Sequence, residues 1–431
     1  MNNNQTKIGV PMQRGIGLLV FLFPFLSLIT PSGIGFSSLI FVLVALCVPR
    51  RVWAAMAPHW RAVPELRWVV LAFAYYFLLA LVCVLARPEA TWGYLDKPSR
   101  MFLGLSAALL VVLARPPRAT LWWGVILGAL AALPFIAYQR IVLDIYRPGG
   151  WLNPITFGDI ALCLALVALA AAIDYRHSTR KAVWPALGAL AGLAATILSG
   201  TRGGWIALVL AAMLFLSYAR LLHSRRVRLL LVGSFALFAS TFFIPAFGVQ
   251  ERVGQGVHDV RTWLDGGSAL SNIGIRLELW TGARYIIAEH PLFGLDPLTV
   301  RAELKELAQQ GVIQDVVLPF EHLHNDLLQA QATGGVFGLL AYLGILAAPF
   351  AFFARAVGRG VHRGMPQFAP ALAGMLVVLS YFGFGMTEVI FWSLKGSMFY
   401  VLMVALLMGF CLNAKADANI DTEIEKNKRG Q

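Results

Sequence analysis

The chain has 431 residues, of which 58% are hydrophobic and only 13% are charged, with a net charge of +13. Soluble domains carry about 25% charged residues, so this chain has too few charges to cover a water-facing surface of its length. The composition excludes a soluble globular protein, a disordered chain and a disulfide-stapled secreted fold. It predicts an all-α polytopic membrane protein.

Long apolar runs punctuate the sequence from its start to near its end. A helix needs about 20 apolar residues to cross a bilayer, and these runs are too long for the strands of a barrel. The pattern predicts twelve transmembrane helices, near residues 15–31, 33–49, 68–86, 100–114, 119–139, 156–173, 183–199, 204–222, 229–248, 334–354, 366–386 and 396–413.

Lysine and arginine are concentrated in alternate connections between these spans, including Arg50 and Arg51 after the second. The positive-inside rule makes those connections cytoplasmic, so both termini are predicted in the cytoplasm. Because the basic residues separate apolar segments and form no single patch, the charge gives no reason to expect a nucleic acid partner.

The connection between the ninth and tenth spans is the longest and is predicted to be periplasmic. It favours helices near 271–289, 299–310 and 318–332. The chain is therefore divided into transmembrane helices 1–9 (residues 1–248), a periplasmic loop subdomain with the candidate catalytic motif (249–333), transmembrane helices 10–12 (334–413) and a charged cytoplasmic tail (414–431) predicted to be disordered.

Nucleotide and metal motifs are missing from the sequence. It has no P-loop, no GxGxxG after a strand and no ligand spacing of the HExxH kind. We therefore expect no metal, no ATP and no other cofactor.

Three arginines lie close to the side of the membrane that is predicted to face away from the cytoplasm. Arg147 precedes the sixth span, Arg202 occupies the short turn 201–203 between two apolar runs, and Arg276 lies in the long loop. A guanidinium group can bind two phosphate oxygens at once, so these arginines suit a lipid-linked phosphate or pyrophosphate. The alternative is that loop arginines only reach towards lipid headgroups, which is the interpretation preferred for Arg87 and Arg140.

Two histidines stand close together in the segment 321–329. On a helix, Glu321 would share a face with His324 and Asn325, and a histidine beside a carboxylate or amide is a competent general base. The alternative is a pair of interfacial loop histidines, His322 and His324, with no role in chemistry.

The order of these motifs resembles that of a known family. The motifs are R-x-G-x-x-x-N-P at 147–154, T-R-G at 201–203, Arg276 before an aromatic residue, H-P-L-F-G at 290–294, and H-x-H-N-x-x-L-Q at 322–329. Together, over about residues 140–345, they resemble the O-antigen ligase and polymerase superfamily, and the ligase in particular. One departure occurs after Gly294, where Asp296 replaces a second glycine of the family pattern.

The resemblance implies a metal-independent glycosyltransferase with a fold related to the C-type class. Its donor would be a glycan on undecaprenyl pyrophosphate, and its acceptor a sugar hydroxyl of lipid A–core, at the periplasmic face of a bacterial inner membrane. The family's base corresponds to His324, and its pyrophosphate-binding residues to Arg202 and Arg276. Other substrate-positioning residues implied by the resemblance are Arg147, His322 and Asn325.

Two alternatives stay open. One is a sister enzyme of the same superfamily, either an O-antigen polymerase or a protein O-oligosaccharyltransferase. The other, from a different class, is a secondary transporter or lipid flippase, which would call for inverted repeats and ionisable groups within the spans. Asp159, just inside the sixth span, is the nearest such group.

Overall fold

The described part of the chain is helical, with no strand. The computed structural model describes residues 8–87, 91–176, 178–201, 203–218, 229, 232–233, 236, 249–360 and 367–429. The helices are α1 (Val10–Leu26), α2 (Gly33–Cys47), α3 (Pro49–Ala62), α4 (Pro64–Ala86), α5 (Asp96–Ala114), α6 (Arg118–Ala137), α7 (Pro154–Ala171), α8 (Thr179–Leu198), α9 (Gly204–Ser217), α10 (Val249–Leu264), α11 (Asn272–Glu289), α12 (Pro297–Gln309), α13 (Asp326–Gly360), α14 (Phe368–Gly385) and α15 (Leu394–Arg429).

Membrane-spanning helices dominate this architecture. Among the described residues, eight helices are long and apolar enough to cross a membrane, and a ninth is possible if the bent pair α2–α3 forms one span. Helices α1 and α9 are also apolar but shorter. The prediction of an all-α polytopic membrane protein is confirmed. The predicted span at 229–248 lies almost wholly outside the described residues.

Helix α3 falls where the sequence predicted only a cytoplasmic connection. It begins with Pro49 at its first position and makes an angle of 94° with α2. Val52 and Met56 are buried on one face, whereas Arg50 and Arg51 are exposed. Such an amphipathic helix is too polar to span a bilayer and suits its surface.

The core of the bundle is formed by α7 and α15, whose membrane segments are the most completely buried of the eight. Helix α15 packs against α5, and a β-carbon at Gly104 would collide with Val401. Small residues at such positions let membrane helices approach closely, and this packing stabilises them where lipid supplies no hydrophobic drive.

The long connection contains α10, α11 and α12, and two of them match the predicted helices near 271–289 and 299–310. Ser271 caps α11 by accepting a hydrogen bond from the backbone of Gly274, and Asp296 caps α12 through Leu298. This explains the departure noted at Asp296, because a capping carboxylate takes the place of the second glycine.

The third predicted helix, at 318–332, is wrong in its first part. Residues 321–325 are not helical, and α13 begins at Asp326 and continues to Gly360. Helix α15 continues from its membrane segment to Arg429, and the disorder of the charged tail stays a prediction.

Helix α13 is interrupted at Gly335, which has a φ of 59°. A β-carbon there would overlap the backbone of Leu292, so the turn after α11 approaches the helix at this point. Val336 donates a backbone hydrogen bond to Pro291, and Leu295 donates one to Ala332. These contacts attach the long connection to the membrane bundle.

Arg87 strengthens the same junction from the end of α4. Its guanidinium donates hydrogen bonds to the carbonyl oxygens of Phe293 at 2.6 Å, Gly294 at 3.1 Å and Thr333 at 3.2 Å. The interpretation of Arg87 as a group that reaches lipid headgroups is therefore replaced by a structural role.

Candidate active site

Two histidines and one glutamate form a cluster at the end of the long connection. His324 Nδ1 lies 3.1 Å from Glu388 Oε2, and His322 Nε2 lies 3.6 Å from Glu388 Oε1. The two imidazole rings meet edge to face, with centroids 4.4 Å apart. One carboxylate thus serves both histidines.

The histidines are positioned through the residue between them. Leu323 is fully buried, its backbone N–H donates to Gln329 Oε1 at 3.0 Å, and its carbonyl accepts a hydrogen bond from Trp280 Nε1 at 3.0 Å. With both backbone groups and the side chain fixed, the neighbouring imidazoles have little freedom. Leu323, which separates the two histidines, and Gln329 of the motif are therefore supports for the imidazoles.

His324 lies in the left-handed backbone region, with a φ of 49°. Its neighbour Asn325 starts α13, because Asn325 Oδ1 accepts the backbone N–H of Leu328 at 3.1 Å. Asn325 Nδ2 also donates to the carbonyl of Met386 at 3.1 Å. The segment is a cap with a strained residue before it, so the helical face predicted to join Glu321 to His324 and Asn325 does not form.

Glu388 was missed by the sequence analysis because it lies 64 residues after His324, beyond α13 and α14. It stands three residues after the end of α14, where its Oε1 accepts the backbone N–H of Val389 at 3.1 Å. A signal was present in the sequence, since Glu388 is the sole acidic residue between Asp326 and Asp417. An isolated carboxylate between two apolar spans is a functional candidate.

The cluster perturbs its own protonation. Burial raises the pKa of Glu388, but the hydrogen bond and charge of His324 outweigh it and leave the pKa below its ordinary value. Burial lowers the pKa of His322, and the charge of Glu388 opposes this only in part. Glu388 is therefore ionised and His322 neutral near neutral pH.

An ionised Glu388 decides the tautomer of His324. A carboxylate can only accept a hydrogen bond, so the proton on the facing nitrogen belongs to Nδ1. The lone pair of the neutral ring is then on Nε2, which is the atom able to take a proton. The arrangement can act as an oriented general base.

The same three side chains could also bind a metal ion, since their ligand atoms lie within 4.8 Å of one another. Imidazole and carboxylate are common ligands of divalent transition metals. The search of the sequence for metal-ligand spacings could not find this set, because Glu388 comes from a distant segment.

Gly203 lies next to the segment that carries Glu388 of the histidine cluster. Arg202 itself is outside the described residues, but its neighbour Gly203 packs so closely on Thr387 that a β-carbon there would collide with the threonine hydroxyl. Thr387 immediately precedes Glu388. On the other side of the turn, a β-carbon at Gly200 would lie 3.8 Å from Arg147 Cγ. The structure thus places Arg147 beside Gly200, and Gly203 against the segment that carries Glu388.

Arg276 lies half-buried on α11, one turn before Trp280 and on the same face. Trp280 donates the hydrogen bond to Leu323, so α11 is fastened directly to the histidine segment. A second anchor holds the helix, because Glu278 accepts hydrogen bonds from Trp263 Nε1 at 2.6 Å and the backbone of Gln314 at 2.8 Å.

A mostly apolar cavity of about 190 Å³ adjoins the cluster, between α4, α5 and α13. Gln329, Val389 and Trp392 form the part of its wall closest to the histidines. Lys97 contributes a positive charge, with Nζ 3.1 Å above the centroid of the Trp392 ring, and that ring lies 6.3 Å from His322. The sequence analysis had assigned no role to Lys97 or Trp392.

Comparison with known proteins identifies this region. The sequence model of one protein family, described as O-antigen ligase, matches residues 187–343. The resemblance of these residues to the O-antigen ligase superfamily is thus confirmed. The matched O-antigen ligase region begins in α8 and ends in α13, so it includes Arg202, Arg276 and both histidines of the cluster, while Arg147 and Glu388 lie outside it.

A second similarity covers more of the chain than the family match does. An uncharacterized protein of Haemophilus influenzae is 24% identical over 348 residues, which make up 78% of this chain and 84% of the relative. The similarity therefore extends well beyond the O-antigen ligase domain into the remaining membrane helices.

Proposed function

We propose that this protein is an O-antigen ligase of a bacterial inner membrane. It transfers a polysaccharide from undecaprenyl pyrophosphate to a sugar hydroxyl of lipid A–core, on the periplasmic side, without metal or nucleotide. The subdomain 249–333 is periplasmic and both termini are cytoplasmic. The proposal is supported by the ligase-family domain, the membrane helices and the histidine cluster.

The observation that carries the proposal is the 3.1 Å contact between His324 Nδ1 and Glu388 Oε2. It leaves Nε2 of His324 as the basic nitrogen and gives the imidazolium a counter-ion once it forms. Oriented histidine–carboxylate pairs work in this way in other enzymes. His324 is then the base that accepts the proton of the acceptor hydroxyl.

The transfer is a displacement at the anomeric carbon. The acceptor oxygen forms the new C–O bond while its proton passes to His324 Nε2. The bond between the anomeric carbon and the pyrophosphate oxygen breaks, and its electron pair leaves with undecaprenyl pyrophosphate. Attack on the face opposite the leaving group inverts the anomeric centre.

The leaving group gains negative charge during this step, and arginines are suited to stabilise it. Arg202 and Arg276 are proposed to hold the pyrophosphate, and Arg147, which lies beside Gly200, is proposed to position it. Fixed cations aimed at developing charge supply a large part of the catalysis in many enzymes. Lys97, beside Trp392, is a further cation at the edge of the cluster.

His322 and Asn325 are proposed as positioning residues. His322 faces the second oxygen of Glu388 and limits the rotation of that carboxylate. Asn325 ties the start of α13 to Met386, two residues before Glu388. The adjacent apolar cavity lies between membrane helices, as a site for the lipid portion of a substrate would.

The test is a reconstitution in detergent, with purified protein, glycan on undecaprenyl pyrophosphate and lipid A–core, in the presence of EDTA and without nucleotide. The proposal predicts a ladder of lengthened lipid A–core on a gel. Activity that disappears with EDTA and returns with a divalent metal would assign the cluster to metal binding and contradict the proposed base.

The same reaction separates the sister enzymes, which differ in their acceptor. Lengthening of the lipid-linked glycan would identify a polymerase, and modification of an added protein acceptor would identify a protein O-oligosaccharyltransferase. If the folded protein modifies none of these acceptors, transport becomes the leading hypothesis, with the buried Asp159 of α7 as the first residue to test.

A further inference from the structure

A second apolar cavity, of about 580 Å³, lies on the inner side of the bend between α2 and α3. Its walls are formed by α2, α3, α4 and α5, with Met408 of α15 at its base. Ser106 is the one residue with a polar side-chain oxygen or a charge among those that line it, and its hydroxyl already donates to the carbonyl of Leu103. Apart from the indole N–H groups of Trp53 and Trp60, the groove is apolar and suits a hydrocarbon chain.

The rim of this groove is strongly basic. Four arginines each stand next in sequence to a lining residue: Arg50 after Pro49, Arg51 before Val52, Arg61 after Trp60 and Arg67 after Leu66. All four are exposed, and none has a carboxylate partner within the described residues. The nearest acid in sequence, Glu65, is buried and bound to Arg355. The rim thus has a positive charge that the protein does not neutralise.

The position of α3 places this rim where lipid headgroups lie. The helix makes an angle of 94° with α2, so it follows the membrane surface if α2 crosses the bilayer. Trp53 is 60% exposed and lines the groove, and Trp68 is 39% exposed nearby. Tryptophans of this kind mark the level of the membrane interface.

We infer that the groove beneath α3 binds one anionic phospholipid. An acyl chain occupies the apolar groove between α2, α3 and α5, and the phosphate-bearing headgroup is bound by Arg50 and Arg51, with Arg61 and Arg67 at the other end of the helix. This site is separate from the histidine cluster and does not depend on the transferase proposal.

Charge complementarity selects the occupant. A zwitterionic lipid offers an equal tail but no net charge to the four arginines, and a protein partner would leave an apolar groove of this depth within the membrane unfilled. Each arginine near a membrane surface contributes enough attraction to an anionic lipid for about a five-fold change in affinity.

Native mass spectrometry of the full-length protein in detergent tests the site. Phosphatidylglycerol or phosphatidylcholine with identical acyl chains is titrated, and the bound lipid is counted. We expect one phosphatidylglycerol to bind at least about five-fold more tightly than phosphatidylcholine. The double variant Arg50→Gln, Arg51→Gln is expected to weaken the binding of phosphatidylglycerol by up to about 25-fold and to leave the binding of phosphatidylcholine unchanged.

Two further variants separate the groove from general charge. Ala45→Phe fills the groove without changing a charge, and we expect it to abolish the tight binding of phosphatidylglycerol. If that variant does not fold, Leu46→Trp at the edge of the groove replaces it. The control is Arg14→Gln with Arg180→Gln, which removes two exposed charges elsewhere and is expected to bind like wild type. Equal binding of the two lipids, equal loss in the control, or full binding by the filled groove would each overturn the inference.

Discussion

At the scale of single residues, the site depends on a carboxylate that fixes the orientation and tautomer of a histidine. His324 follows the buried Leu323, and its imidazole is hydrogen-bonded to Glu388. Its backbone is in a conformation that non-glycine residues rarely adopt. Strain of this kind persists only where the surroundings enforce it, and it is often found at functional sites.

Glu388→Gln tests the role of the carboxylate. The amide keeps the shape of the side chain but neither neutralises an imidazolium nor requires the proton to be on Nδ1. We expect the rate of glycan transfer to fall by a factor on the order of 10²–10⁴. Initial rates in the reconstituted system, together with an unchanged elution volume on size exclusion, measure this. A rate within a factor of about two of wild type would remove Glu388 from the mechanism.

The pH dependence of stability tests the protonation of His322. Its pKa in the folded protein is lowered from an ordinary value of 6.5, so the unfolded chain binds more protons below that pH and stability falls with acidification. Glu388 has the opposite charge but the same trend in a lower window, because its stabilising ionisation is lost as the pH falls from 4.5 through its lowered pKa.

We expect His322→Gln to remove the loss of stability that begins below pH 6.5. Its thermal unfolding temperature changes less than that of wild type just below pH 6.5, while the fall below pH 4.5 persists. Thermal unfolding in detergent across this range measures it, with His258→Gln, an exposed histidine in the same connection, as control. Parallel curves for wild type and His322→Gln would contradict the assigned protonation.

At the scale of helices, hydropathy predicted the spans well because one signal, an apolar run, is local in sequence. Helix α3 escaped it, because the helix has only 14 residues, carries Arg50 and Arg51 at its start, and buries Val52 and Met56 along one face only. The break before α13 also escaped prediction, because the spacing from Glu321 to Asn325 suits a helix equally well. Only the contact of Asn325 with the distant Met386 favours the cap.

The site was predictable in part for the same reason. His322, His324 and the arginines lie in motifs that can be recognised along the chain, whereas Glu388 joins them through the packing of α14 against α13. A carboxylate from another segment has no fixed spacing to a histidine, so the sequence analysis missed Glu388, and its isolation between two spans was the one signal that could have found it.

Gly335→Ala tests the junction between α13 and the long connection. The residue has a φ of 59°, and a β-carbon would overlap the backbone of Leu292, which cannot move as a flexible side chain can. We expect a loss of at least about 3 kcal/mol in the free energy of unfolding, or failure to fold. Gly358→Ala in the same helix has open space around it and is expected to be neutral or stabilising by up to about 1 kcal/mol.

Urea unfolding followed by tryptophan fluorescence in detergent compares these two variants. Equal stability of Gly335→Ala and Gly358→Ala would show that α13 does not require its interruption. A normal wild-type transition with a large loss confined to Gly335→Ala is the expected outcome.

At the scale of the whole molecule, the bundle separates two surfaces with different tasks. One end has the histidine cluster and the long connection, and the amphipathic α3 belongs to the other by the distribution of basic residues. The membrane segments of α7 and α15 form the buried centre of the bundle.

Cysteine labelling tests this orientation. In a chain whose four cysteines are replaced by alanine, Lys305→Cys in α12 is expected to react with a membrane-impermeant maleimide once the outer membrane is opened. Arg14→Cys is expected to react only after the inner membrane is broken. Both positions are exposed in the structure, so accessibility to water does not differ between them. The reverse pattern would place the histidine cluster in the cytoplasm.

The measurement that tests the central claim most directly is the rate of glycan transfer by His324→Ala, with EDTA present, beside wild type and His258→Ala. The account predicts a ladder of lengthened lipid A–core for wild type and for His258→Ala, and none for a folded His324→Ala, because the acceptor hydroxyl then has no base. A ladder from His324→Ala at the wild-type rate would contradict the assignment of His324 as the base of the transfer.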